Sequence, residues 1–310
     1  MKKLIILAVI AILTSCDNSQ YQMTESGIEY RYFTESSADI PADGDVMELH
    51  IIYRDENGLE LLNTTVDSDG PVPVLCQSEK FIKNGSLEEI FGMLKSGDSI
   101  EAKIPAARVF ESFGQPVPDS IDANSNLIFN IGVVNVMSRQ EYTFNIAEKY
   151  MTSAKIQLVL SSEQIQADGE IIDQYLAENK IQAERTESGL RYAITQSGKG
   201  DNAKPGDRVS VNYVGKVLDG HVFDTSIKEI AQVNNTYNPA REPYQPYPFT
   251  LGFGEVIYGW DEGFTLLNEG AKATFFIPSS MAYGNQAVDE IIVENSILIF
   301  EVELVDILEL

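Results

Sequence analysis

Few residues of this 310-residue chain are of types that do chemistry unaided. The two histidines, His50 and His221, have no second ligand at metal spacing and read as ordinary strand or turn residues. The sequence has no nucleophile triad, no Gly-rich phosphate loop and no basic patch. What the last third does hold is a set of aromatics with one carboxylate. These are Tyr213 in "VNYVG", Phe223-Asp224 in "VFDTS", Tyr247 and Phe249 in "PYPF", Trp260 in "YGW", Tyr283 in "MAYG" and Phe300 in "LIFEV". Such groups offer apolar contact and hydrogen bonding, not attack on carbon. Singly, each has a plain structural explanation. Tyr213, Phe223 and Phe300 alternate on strand-like segments, Trp260 falls on an amphipathic helix, and Asp224 can cap a turn.

The elements that must position them occur twice. "TESGIEYRYF" begins at Thr24 and "TESGLRYAIT" at Thr186, and the same shift overlays "ADGDVMELHII" on "KPGDRVSVNYV". "ENGLELLNTT" falls on "LDGHVFDTSI", with Asn57-Gly58 and Asp219-Gly220 as hairpin turn signals. After a change of register, "EEIFGMLKSGDSIEAKIP" overlays "DEGFTLLNEGAKATFFIP", and "NSNLIFNIGVVNV" overlays "NSILIFEVELVDI". Five blocks in one order mark a tandem repeat. Each copy reads as strand, turn, strand, loop, short helix, Gly-turn, strand, loop and final strand, which predicts an α+β fold with an antiparallel sheet curled on one helix. Between the copies, residues 139–185 have no counterpart. "DGEIIDQYLAENKI" there spaces Ile171, Ile172, Tyr175, Leu176 and Ile181 as an amphipathic helix, so a largely helical connector is expected, packed on one of the domains.

From Gly189 to Leu308 the chain resembles the FKBP-type peptidyl-prolyl cis-trans isomerase family. The resemblance rests on "PGDRVSVNYVGKVLDGHVFDTS", "PFTLGFGEVIYGWDEGFTLLNEGAKATFFIPSSMAYG" and "NSILIFEVELVDI", in order and with family-like spacing. It implies a bent antiparallel sheet over a helix, with a proline pocket between them. It further implies pocket walls at Tyr213, Phe223 and Asp224, an aromatic floor at Trp260, and a hydroxyl donor to a substrate carbonyl at Tyr283. Tyr247 and Phe249 match an aromatic pair after the flap. Val256 and Ile257 match the rim, where the N–H of Ile257 would bind a substrate carbonyl, and Ile291, Ile292 and Phe300 match the remaining lining. The implied reaction is rotation about Xaa-Pro bonds, needing neither cofactor nor metal. Three departures stand out: a longer flap between Ser226 and Pro246, Val293-Glu294 where a Pro-Pro pair is common, and Tyr247 in place of a phenylalanine.

In the first copy Ile51 falls at the place of Tyr213, Leu87 at that of Trp260 and Phe110 at that of Tyr283. Opposite Phe223-Asp224 stands Leu61-Leu62, or Leu62-Asn63 if one residue slips. Residues 24–138 are therefore expected to be a degenerate, non-catalytic FKBP-like domain, and residues 186–310 the isomerase domain.

"MKKLIILAVIAILTSC" has a basic start and a short apolar run, too short to span a bilayer, so residues 1–15 read as an export signal. "LTSC" resembles a bacterial lipobox. Cys16 is then the lipidated residue of a lipoprotein, and residues 16–23 a polar tether; the alternative is an ordinary signal peptide with an incidental cysteine. Cys76, the one cysteine left in the mature body, reads as a small buried apolar residue. The formal net charge of −25, from 47 acidic against 22 basic residues, disfavours nucleic acid as a partner. The expected partners are unfolded or proline-containing exported polypeptides, the membrane through Cys16, and the macrolide inhibitors of the family, in the cell envelope at the periplasmic or outer-membrane face. The competing expectations are a peptide-binding chaperone without catalysis and an adaptor in an envelope assembly.

Overall fold

The computed structural model describes residues 20–68 and 70–308; the expected export signal and Cys16 lie outside the described residues. The chain divides between Arg139 and Gln140 into two compact units.

The first unit runs β1 (Gln22–Met23), β2 (Glu29–Thr34), β3 (Val46–Arg54), β4 (Glu60–Asn63), β5 (Val72–Leu75), α1 (Leu87–Phe91), β6 (Ser99–Pro105), α2 (Ala106–Ser112) and β7 (Asn126–Met137). Its antiparallel sheet has the order β1-β2-β6-β7-β3-β4, with β5 also on β3. Gln22 and Met23, expected in the tether, thus form an edge strand on β2. Ile51, Leu87, Ile90, Ile100 and Phe129 fill the core, which also takes in Cys76. His50 on β3 departs from expectation, because its Nδ1 is buried with no hydrogen-bond partner among the described residues.

The second unit starts with two helices, α3 (Arg139–Leu160, its first residue counted with the first unit) and α4 (Ser162–Glu178). There follow β8 (Glu184–Arg185), β9 (Arg191–Gln196), β10 (Lys199–Asn202), β11 (Arg208–Val217), β12 (Val222–Thr225), α5 (Lys228–Val233), β13 (Tyr247–Thr250), α6 (Tyr258–Phe264), β14 (Asn268–Glu269), β15 (Lys272–Ile277) and β16 (Leu298–Leu308). The sheet order β8-β9-β15-β16-β11-β12, with β13 on β11, repeats that of the first unit strand for strand. The long flap is not bare loop: it holds α5 and a 3₁₀ turn at Pro239–Arg241.

The recurring "TESG" has one structural meaning in both units. The Thr24 N–H donates to the Ile28 carbonyl and the Thr186 N–H to the Leu190 carbonyl, each at 2.9 Å. Gly27 and Gly189 supply the left-handed corner, with φ of 91° and 106°. The Ser26 hydroxyl then donates to Glu89 on α1, and the Ser188 hydroxyl to Glu262 on α6. The turn ties the start of the sheet to the helix beneath it.

Strand alternation decides where the connector packs. On β15, Phe275 faces the inner core with Trp260 and Phe264, while its neighbour Phe276 faces outward. Ile172 and Leu176 of α4 cover Phe276, Ile297 and Ile299 on that outer face. Ile171, expected on the same apolar stripe, is instead half exposed. Arg191 on β9 anchors α4 more firmly. It is almost fully buried, and its guanidinium reaches both carboxylate oxygens of Asp173 (3.0 and 2.9 Å) and the carbonyls of Gly189 (2.6 Å) and Gly169 (3.2 Å). At the equivalent place the first unit carries Glu29 paired with Lys103. Arg191→Met strips two buried carbonyls of their donor and leaves Asp173 unpaired. We expect it to lower stability by about 2–4 kcal/mol in urea unfolding followed by α-helical signal; a loss under about 0.5 kcal/mol would mean α4 is not an integral part of this unit.

Candidate active site

The helix α6 begins at Tyr258, with Ile257 extended just before it (φ −62°, ψ 147°). This start drops Trp260 into the concave side of the sheet, where it is 5% exposed. Four rings surround the indole: Tyr213 at 5.0 Å between centroids, Phe300 at 5.0 Å, Phe264 at 5.4 Å and Phe249 at 5.7 Å. Phe223 meets Phe300 edge to face at 5.5 Å, and Tyr247 lies along Phe249 at 6.1 Å. Edge-to-face contacts of this kind set ring orientation as well as burial. Val256 and Ile257 pack against the same cluster, and Ile292 is buried within it. Ile291 and Tyr247 stand at the solvent edge, at 38% and 40% exposure, as rim residues would. The Ile257 N–H donates to no backbone acceptor among the described residues, so it is free to meet another carbonyl.

The polar side of the cluster is a network. Tyr213 donates its hydroxyl to Asp224 Oδ2 at 2.6 Å. Arg241, in the flap, pairs with Asp224 Oδ1 and reaches the Tyr213 hydroxyl with Nη2 at 3.0 Å. Sequence reading missed Arg241. Its partner lies 17 residues away across a flap of unusual length, and no local spacing encodes the contact. Burial, and then the Asp224 carboxylate, push the Tyr213 phenol well above the ordinary tyrosine range. Tyr283 is also raised, by burial first and then by the charges of Asp224 and Asp289. Both phenols are neutral donors at any physiological pH. Asp289 accepts from the N–H groups of Ile291 (2.8 Å) and Ile292 (2.6 Å), holding the rim loop.

One glycine makes the arrangement possible. Gly215 on β11 pairs with Phe300 on one side and Asp224 on the other. A Cβ there would stand 2.7 Å from ring carbons of both Phe223 and Phe300. The register of the first unit, Ile52 opposite Asn63 and Tyr53 opposite Leu62, matches Val214 opposite Thr225 and Gly215 opposite Asp224. It removes the one-residue slip left open by sequence: Leu61-Leu62 stands at Phe223-Asp224. Thr64 and Ser226 confirm the register: each accepts on its hydroxyl from the N–H of Ile51 (2.8 Å) or Tyr213 (2.9 Å) and donates its own N–H to the carbonyl of the same residue (3.0 and 3.1 Å). Tyr53 therefore occupies the place of Gly215, and its ring stacks on Phe129 at 5.0 Å. Phe129 is the counterpart of Phe300, and the rings against it are Tyr213, Phe223 and Trp260 in the second unit and Tyr53 in the first. Leu87 and Ile51 are buried where Trp260 and Tyr213 sit.

Next to Trp260, Asp261 is fully buried. Its Oδ1 accepts the Gly252 N–H at 2.7 Å, and its Oδ2 has no partner. Burial pushes its carboxyl up to about 6, with Glu255 adding to the rise and the N–H groups of Gly252 and Gly254 opposing it.

Two variants test this geometry. Gly215→Ala should cost about 1–3 kcal/mol, because the two rings must move apart to admit the methyl group; urea unfolding monitored at Trp260 measures it, and an unchanged midpoint would contradict the close approach. For Asp261 the folded chain holds its proton more tightly than the unfolded chain. Wild-type stability therefore falls as pH rises from about 4 to about 6 and does not return by pH 7. Asp261→Asn lacks this loss, so relative to wild type it should gain on the order of 2–3 kcal/mol between pH 4 and pH 7. A constant difference across that range would refute the raised carboxyl.

The family model of the FKBP-type peptidyl-prolyl cis-trans isomerase matches residues 199–305. A probable FKBP-type peptidyl-prolyl cis-trans isomerase FkpA of Neisseria meningitidis serogroup B is 36% identical over 170 residues, 54% of this chain and 53% of that protein. An FK506-binding protein of the same organism is 38% identical over 121 residues, which cover 39% of this chain and 98% of the relative. FK506-binding protein 2 of Candida glabrata is 38% identical over 132 residues, covering 41% and 87%. The match spans about half the length of the FkpA relative but most of the length of the two FK506-binding proteins. The ring cluster, its carboxylate and the shared sequence lie in the same stretch of the second unit, and by them the chain belongs to the FKBP-type peptidyl-prolyl cis-trans isomerase family.

Proposed function

We propose that the second unit isomerises Xaa-Pro bonds of exported polypeptides in the cell envelope, and that the first unit has no such activity. The observation that carries this reading is the Trp260 floor enclosed by Tyr213, Phe249 and Phe300, with Asp224 at its edge. Rotation about an amide faces a barrier of roughly 18–20 kcal/mol, because twisting destroys the resonance of the C–N bond. The twisted amide has less charge separation than the planar one, and so depends less on water. A dry aromatic cradle favours it over the planar ground state. No bond to carbon is made or broken, so the residues need only bind, orient and exclude water.

In this reading the proline ring rests on Trp260 between Tyr213, Phe223 and Phe300. The Ile257 N–H and the Tyr283 hydroxyl hold substrate carbonyls on either side of the twisting bond, fixing the chain in a turn. Asp224, held by Tyr213 and Arg241, orients these walls and faces the distorted carbonyl; it transfers no proton. The macrolide inhibitors associated with the family are a second class of ligand that this reading expects at the ring cluster. The lipid anchor at Cys16 belongs to this proposal and would hold the chain to a membrane while it acts on emerging clients. In the first unit Leu87 and Ile51 stand at the places of Trp260 and Tyr213 and Leu62 at that of the carboxylate, which supports the absence of isomerase activity there.

Proline-limited refolding of a model protein tests the assignment. Full-length chain should accelerate it, and Trp260→Ala should lower kcat/KM by about tenfold or more, the equivalent of about 1.4 kcal/mol of transition-state stabilisation. The first unit, residues 20–139, should give no acceleration. Catalysis insensitive to Trp260→Ala would overturn the site, and suppressed aggregation without catalysis would favour a holding chaperone.

A further inference from the structure

Tyr283 owes its place to a turn that the rest of its own repeat does not close. Ser279 opens the 3₁₀ turn Ser279–Met281, four residues before Tyr283. The Ser279 carbonyl accepts from the N–H groups of Ala282 (2.9 Å) and Gly284 (2.8 Å), the two neighbours of Tyr283 in the chain. Moving Ser279 therefore moves the tyrosine. The other polar groups of Ser279 leave the sheet altogether. Its N–H and its hydroxyl both donate to Oδ2 of Asp168, at 2.7 and 2.6 Å.

Asp168 lies on α4, outside the repeated fold, and is 2% exposed. Its second oxygen accepts from Gln164 Nε2 at 2.8 Å. A buried carboxylate taking three donors is held in one rotamer and holds its donors in turn. The helix that carries it is itself fixed, since Arg191 binds Asp173 and the carbonyl of Gly169, the residue after Asp168. Gly169 leaves room for this: a Cβ there would stand 2.8 Å from the Arg191 guanidinium.

The first unit shows how the same turn closes without such a helix. Ala106 occupies the place of Ser279, and its N–H donates at 2.9 Å to the carbonyl of Ser125, inside its own unit. The chain then continues as α2, with Phe110 where Tyr283 stands. Ser296 is the residue equivalent to Ser125, yet in the second unit the donor goes to Asp168 instead. The unit that keeps the tyrosine hydroxyl has passed this turn to the connector.

We propose that Asp168 is a positioning residue for isomerisation, holding Tyr283 through Ser279, so that the working unit begins with the connector helices and not at the second "TESG". The proposal rests on the isomerase reading above. In the full chain, Asp168→Ala should lower kcat/KM by about 5–10-fold, but by less than about twofold when Tyr283→Phe is already present, since a residue acting through the hydroxyl has nothing left to position. Asp168→Asn, which still accepts from Ser279, should recover part of the loss. If Asp168→Ala does not fold, Ser279→Ala with and without Tyr283→Phe gives the same comparison, as it keeps the N–H bond. Equal losses in the two backgrounds, or no loss in either, overturn the proposal. Should the wild-type chain show no isomerase activity, the isomerase reading fails by itself. The same cycle is then read as affinity for a proline-containing tetrapeptide through Trp260 fluorescence, where equal losses again overturn it.

Discussion

The second unit is organised around the burial of one indole. Trp260 is the only tryptophan in the chain, and it sits at the first turn of a seven-residue helix, a length too short to be stable without tertiary packing. Its contacts with Tyr213, Phe249, Phe264 and Phe300 join three strands and the helix in one apolar cluster. Once these rings are fixed, the polar edge follows. Tyr213 can present its hydroxyl only toward Asp224 on the neighbouring strand, and Arg241 closes over both.

The two units show how little of a fold must change to alter what it can hold. Strand order, the register of the first hairpin and the turn that ties sheet to helix are common to both. The difference lies in which atoms occupy one volume. With Gly215 on β11, the rings of Phe223 and Phe300 converge over the glycine. With Tyr53 there, a ring carried by the strand itself lies on Phe129. Each version buries apolar surface, so each folds; the second also sets the Tyr213–Asp224–Arg241 network beside its rings.

The helices between the repeats also have a physical role beyond linkage. α4 covers an outward-facing patch on the sheet, around Phe276 and Ile299, that would otherwise face water. α3 packs on the segment leading to the rim: Gly252 and Gly254 approach Ala147 and Tyr150 so closely that a Cβ at either would press on them. Segments that frame the cradle on two sides are thus braced by elements outside the repeated fold.

Much of this was legible in the sequence because it depends on local pattern. Alternating strands, hairpin glycines and the spacing of Trp260, Phe264 and Leu267 recur at fixed shifts, and they give the repeat, the fold class and the aromatic members of the cluster. What required tertiary structure was every contact between residues whose separation carries no period. Arg241 on Asp224, Asp168 on Ser279 and Tyr53 on Phe129 depend on where flap, helix and strand come to rest. The choice between Leu61-Leu62 and Leu62-Asn63 also needed cross-strand hydrogen bonding, because a one-residue slip leaves composition unchanged while turning every side chain to the other face. Sequence determined which aromatic residues could gather beneath the sheet, because strand and helix periods are local; the packing of elements far apart in the chain decided which rings meet and that the turn before Tyr283 is bonded to α4.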